Sequence, residues 1–183
     1  MRWSLFLFLL VALPALYIAT LLVLERGRGT LTECIWLGTL GGDESEAFGV
    51  SMGGSVVVGR SKNADGRWRA FLWTQAGGMQ DLGTLGGNGS MAYGVSADGS
   101  VVVGMATKKV EGFIGGRYER RYVRFEVARI FRWTQASGMK ELSGYLYRPQ
   151  VTAISPDGRY IAGYGYKSLW FEPRKAFLLV TRE

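Results

Sequence analysis

Apolar and polar residues alternate in two different ways along this chain. From Trp3 to Leu24 it reads WSLFLFLLVALPALYIATLLVL, 22 residues without a charge. A helix of that length spans a hydrocarbon core of about 30 Å. Beyond it the pattern breaks into short apolar runs, the first being Ala47–Ser51, Ser55–Arg60, Ala70–Thr74 and Met79–Leu82. Glycine-containing turns separate them. Asp65-Gly66, Asp98-Gly99 and Asp157-Gly158 supply the positive φ angles that tight hairpins need, so the runs read as antiparallel strands. SVVVG is continuously apolar and predicts an inner strand covered on both faces. AFLWT predicts a strand whose Phe and Trp bury on opposite sides.

The N-terminal run predicts a transmembrane signal anchor over residues 1–25, followed by a linker over 26–35. It is longer than the apolar core of a cleaved leader, and Ala15, Ala19 and Thr20 lie among apolar residues that continue to Leu24, so no cleavage pattern follows. Pro14 is tolerable in a membrane helix. Arg2 flanks one end, and Arg26 with Arg28, offset by Glu25, flanks the other, which leaves the positive-inside count near a tie.

The strands recur. LGTLGG occurs at Leu37–Gly42 and at Leu82–Gly87, an offset of 45 residues. EAFGVSMGGSVVVG from Glu46 matches MAYGVSADGSVVVG from Met91, and a divergent copy, VTAISPDGRYIAG, starts at Val151. The second halves align as RAFLWTQAGGMQDL, RIFRWTQASGMKEL and KAFLLVTRE, which equates Phe71, Phe131 and Phe177. The expected fold is all-β. Three four-stranded, propeller-like units, about 36–81, 82–141 and 142–183, follow one N-terminal transmembrane helix. Three is fewer than the roughly four to eight blades that close an ordinary propeller.

The repeat also disposes of the motifs that suggest chemistry. Gly49–Gly53 reads GVSMG, the G-x-S-x-G pattern of a nucleophilic serine, yet the chain contains no histidine to act as its base. Lys62 lies in a polar turn with nothing to lower its pKa. Ser51, Ser96 and Ser155 are equivalent, so each is expected to be a structural serine bonding backbone at a hairpin corner. GTLGG lacks a following Lys-Ser/Thr and reads as a turn, not a phosphate loop. Asp43, Glu44 and Glu46 offer calcium-type oxygens only in the first copy, since the second has Asn88, Gly89 and Met91 there. No enzyme activity, cofactor or metal is expected. The lone Cys34 forms no intrachain disulfide.

The pattern LGTLGG, then A-x-GVS-x-DGS-VVVG, RAFLWT and GM-x-DLGTLGG, resembles the HAF-repeat family of probable extracellular repeats, from about Trp36 to the C-terminus. The resemblance implies an exported, propeller-like repeat domain. It brings no catalytic residues, because the shared positions are turn and core positions.

What remains is charge. The net charge is +7, and between Lys108 and Arg132 eight basic residues face three acids. That stretch is also an insertion: the last glycine of the inner strand lies 12 residues before the aligned phenylalanine in copy one, 27 in copy two and 14 in copy three. The inserted hairpin, about 105–129, combines Lys108, Lys109, Arg117, Arg120, Arg121 and Arg124 with Phe113, Tyr118, Tyr122 and Phe125. These are the candidate partner-binding residues. Their alternation suggests arginines on one side and aromatics, with Val123 and Val127, on the other. For an exported domain the fitting partners are an integral membrane protein complex and anionic lipid headgroups, not nucleic acid. The expected protein is a non-enzymatic accessory or scaffolding subunit of the inner (cytoplasmic) membrane, with its β domain on the periplasmic or extracellular side. The alternative is a secreted or surface-displayed module binding a glycan or other soluble ligand, which needs exposed aromatic platforms, although Trp73 and Trp133 look like core.

Overall fold

The repeated runs do form strands, because each is closed by a turn that only glycine enters freely. Gly66, Gly99 and Gly158 have φ of 72°, 78° and 71° in the computed structural model, which describes residues 33–114, 121–142, 146–167 and 173–181. The chain divides into two units, Met1–Trp36 and Leu37–Glu183. The expected anchor lies outside the described residues, among which no helix is long and apolar enough to cross a membrane.

The second unit is all-β, with three antiparallel up-and-down sheets. The first contains β1 (Gly41–Val50), β2 (Val56–Asn63), β3 (Trp68–Thr74) and β4 (Gly78–Asp81). The second contains β5 (Ser90–Val95), β6 (Val101–Ile114), β7 (Arg121–Thr134) and β8 (Gly138–Glu141). The third has three strands among the described residues: β9 (Tyr147–Ile154), β10 (Tyr160–Tyr166) and β11 (Lys175–Val180). In every sheet sequence neighbours are spatial neighbours.

Two cores hold the sheets together. Val58 and Ala70 of the first sheet, with Leu82 just past β4, pack with Val102, Phe131 and Trp133 of the second. Val101, Val103 and Ile130, on the opposite face of the second sheet, pack with Val151 and Ile161 of the third. The run VVV is therefore doubly covered only in the middle sheet: Val102 is fully buried, whereas its equivalent Val57 is half-buried. Phe131 and Trp133 join the same core. The expectation that Phe and Trp bury on opposite sides is thus corrected, since residues two apart on a strand share a face.

Successive sheets are tied by equivalent backbone bonds at the hairpin corners. Met52 N–H donates to the Ala97 carbonyl (3.0 Å), and Ala97 N–H donates to the Pro156 carbonyl (2.8 Å). The three residues occupy one repeat position. Proline has no N–H, so the ladder has no donor to pass on beyond the third sheet.

Candidate functional site

The middle sheet carries the inserted hairpin as an arm. β6 and β7 pair without interruption from Val101↔Thr134 to Ile114↔Arg121. β5 leaves β6 at Ala106 and β8 leaves β7 at Phe131, and Thr107 still exchanges backbone bonds with Gly87 and Gly89, so the seven pairs from Lys108↔Val127 outward form a two-stranded ribbon, roughly 20 Å long. The equivalent hairpin of the first sheet is already closed at Lys62↔Trp68, where Asn63 N–H donates to the Arg67 carbonyl.

Alternation sorts the arm's side chains onto two faces. One face carries Lys109, Glu111, Tyr122, Arg124 and Glu126. The other carries Lys108, Val110, Arg121, Val123, Phe125 and Val127. This corrects the expected separation of arginines from aromatics: Tyr122 shares a face with Arg124, and Arg121 shares one with Phe125. The reason is spacing. Tyr122 and Arg124 are two residues apart, as are Arg121 and Val123, whereas consecutive residues take opposite faces.

On the polar face the Tyr122 hydroxyl donates to the Glu111 carboxylate, and Arg124 Nε lies 2.7 Å from Glu111 Oε1. These partners hold the Glu111 carboxyl below its ordinary pKa, the Tyr122 hydrogen bond being the larger cause. The same bond pushes the Tyr122 phenol up. The Asn88 N–H donates to Glu126 (3.2 Å) and ties the ribbon to the preceding loop. At the arm's base Glu141 accepts from Lys108 Nζ at 2.8 Å and pairs with Arg129 Nε at 3.0 Å.

Of the ten candidate residues, Arg117, Tyr118 and Arg120 lie outside the described residues, and Phe113 is placed by its backbone, opposite Tyr122. Tyr122 and Phe125 are exposed, at 49% and 46%. Lys109 and Arg121 are exposed and make no ion pair with a described residue. Sequence reasoning missed the Arg129–Glu141 pair, although the repeat carried the signal: Arg69 and Asp81 are its equivalents in the first sheet, 3.9 Å apart. Farther down β7, on the same side of the sheet as Lys109 and Arg124, a cleft of about 350 Å³ is lined in part by Arg132, Lys140 and Thr181.

The remaining motifs occupy structural positions. Ser51 Oγ accepts from the Val56 N–H, Ser96 Oγ from Val101 and Ser155 Oγ from Tyr160, each at 3.0 Å. Thr39 and Thr84, in the two LGTLGG copies, donate to the carbonyls of Gly42 (2.8 Å) and Gly87 (3.1 Å) and so close equivalent turns. Asp43 and Glu44 pair with Lys62, and Glu46 pairs with Arg60. Among the described residues no group of three acidic, cysteine or histidine side chains converges as a metal site. Compared with protein-family models and with curated proteins, the chain matches none.

Proposed function

We infer that this chain is a non-enzymatic accessory or scaffolding subunit, anchored in the inner membrane by its N-terminal apolar run, that stabilises a larger membrane protein complex through its arm. The three sheets serve as propeller-like blades, of the kind the HAF-repeat resemblance implies, on the periplasmic or extracellular side. One observation carries the reading: β6 and β7 pair well beyond the sheet they belong to, and their extension presents Tyr122, Arg124 and Lys109 to solvent.

Arginine and tyrosine are the side chains that dominate protein interfaces, because they combine large contact area with directed hydrogen bonds. The scaffold does not require the extension, since the first sheet closes its hairpin without one. A catalytic reading finds no support at Ser51, whose hydroxyl is occupied by Val56 and Ser55 in a chain without histidine. The glycan-binding alternative needs exposed aromatic platforms; of the two tryptophans expected in the core, Trp133 is only 6% exposed, whereas Trp73 is half-buried and belongs to neither core.

The test is mild detergent solubilisation of native membranes, followed by sizing of the tagged full-length chain. Co-migration with membrane proteins is the expected result. A free monomer with affinity for a soluble ligand would replace this reading with the binding module.

A further inference from the structure

We propose that the apolar face of the arm lies against the headgroup region of an anionic bilayer, while the polar face is left for the protein partner. The inference rests on the reading of the chain as membrane-anchored. Val110, Val123, Phe125 and Val127 form a continuous strip on one side of the ribbon, by the register Val110↔Phe125, Gly112↔Val123 and Lys108↔Val127. A Cβ built on Gly112 would lie 3.8 Å from Phe125 Cε1, so the ring leans over a position with no side chain of its own. Among the described residues no third strand pairs with the ribbon beyond Thr107. Phe125 is exposed, and Val110, Val123 and Val127 are half-buried; a two-stranded hairpin with a partly wet apolar face is marginal in water, so covering that face stabilises it.

Charge selects what covers it. Residues 105–129 hold seven cations and three acids. Two of those acids are engaged within the protein, Glu111 by Tyr122 and Arg124 and Glu126 by the Asn88 N–H. Arg121, at the outer end of the apolar strip, and Lys109 make no ion pair with a described residue. Arg121 stands on the apolar face itself, whereas Lys109 stands on the opposite face and has a stem long enough to reach round the ribbon's edge to lipid phosphates. The strip itself offers Val and Phe without hydroxyl or amide groups. That suits acyl-chain and glycerol contact, whereas the opposite face supplies the directional groups a protein interface uses.

The experiment reconstitutes the full-length chain into vesicles of phosphatidylcholine alone or mixed with phosphatidylglycerol. An environment-sensitive fluorophore is placed at Val110→Cys, Val123→Cys or Arg124→Cys, each with Cys34→Ser. Flotation reports the anchor, and the fluorophore reports the arm. The expected result is flotation with both lipids, together with blue-shifted, lipid-quenchable emission at 110 and 123 but not at 124. That shift is larger with phosphatidylglycerol, and it falls in high salt and with Arg121→Glu. Flotation with aqueous emission at all three positions, an equal response at 123 and 124, or an equal shift in both lipids overturns the proposal and leaves the anchored reading standing. Failure to float contradicts the anchored reading beneath it.

Discussion

Ser96 shows how one residue type can imitate a catalytic motif while doing structural work. Its hydroxyl accepts from the Val101 N–H and donates to Asp98 (2.5 Å), and the side chain is 1% exposed. Replacing its equivalent Ser51, which is also buried, by Ala should cost about 1–2 kcal/mol in urea denaturation, with a larger loss for Ser96→Ala. A fluorophosphonate probe should leave Ser51 unlabelled. Asp98 is held at a pKa of about 2, first by the Ser96 hydroxyl and then by the Ser100 N–H and hydroxyl. A depressed carboxylate pKa contributes stability that is complete above the ordinary value of 3.8 and is lost as pH falls through about 2. An NMR titration should place the midpoint there, and Asp98→Asn should flatten the stability profile in that window. The glycine closing each VVVG-type run was legible as a repeat, but its reason was not. A Cβ on Gly59, Gly104 or Gly163 would meet a carbonyl oxygen of the neighbouring strand at 1.9, 2.0 or 2.1 Å. Equivalent register shifts in β1, β5 and β9 bring those carbonyls close. Gly104→Ala should therefore destabilise by the upper end of about 1–3 kcal/mol in the same denaturation assay.

At the scale of elements, strands and their turns were readable because Asp-Gly corners and short apolar runs are local signals. The side on which a residue lies does not follow from composition: Phe131 and Trp133 share one core, and Tyr122 shares a face with Arg124, because the two-residue period decides. The salt bridge at the arm's base escaped because Arg129 and Glu141 sit on different strands and meet only through register. Glu141→Gln should leave Lys108 and half-buried Arg129 without their shared carboxylate and cost about 1–2 kcal/mol. Restoring apolar contact with Glu141→Leu in an Arg129→Met background should recover part of that loss in thermal unfolding. A purely solvated surface pair would show no change in either variant.

The whole second unit is three copies of one meander stacked through two cores, with the same corner bond made twice and then stopped at Pro156. Copy number was visible in the sequence, whereas the direction of stacking was not, because it depends on which face of each VVV run meets which sheet. The two cores and the corner bonds hold the stack, and the extended part of the arm contributes to neither. The most direct measurement is therefore recovery of the membrane complex by full-length protein whose arm is shortened by about fifteen residues between Thr107 and Val127, with circular dichroism of the same protein confirming its β content. An intact fold with the complex lost from the native sizing profile is the result this account predicts. An intact fold that co-migrates with its membrane partner undiminished would contradict it and move the contact to another surface.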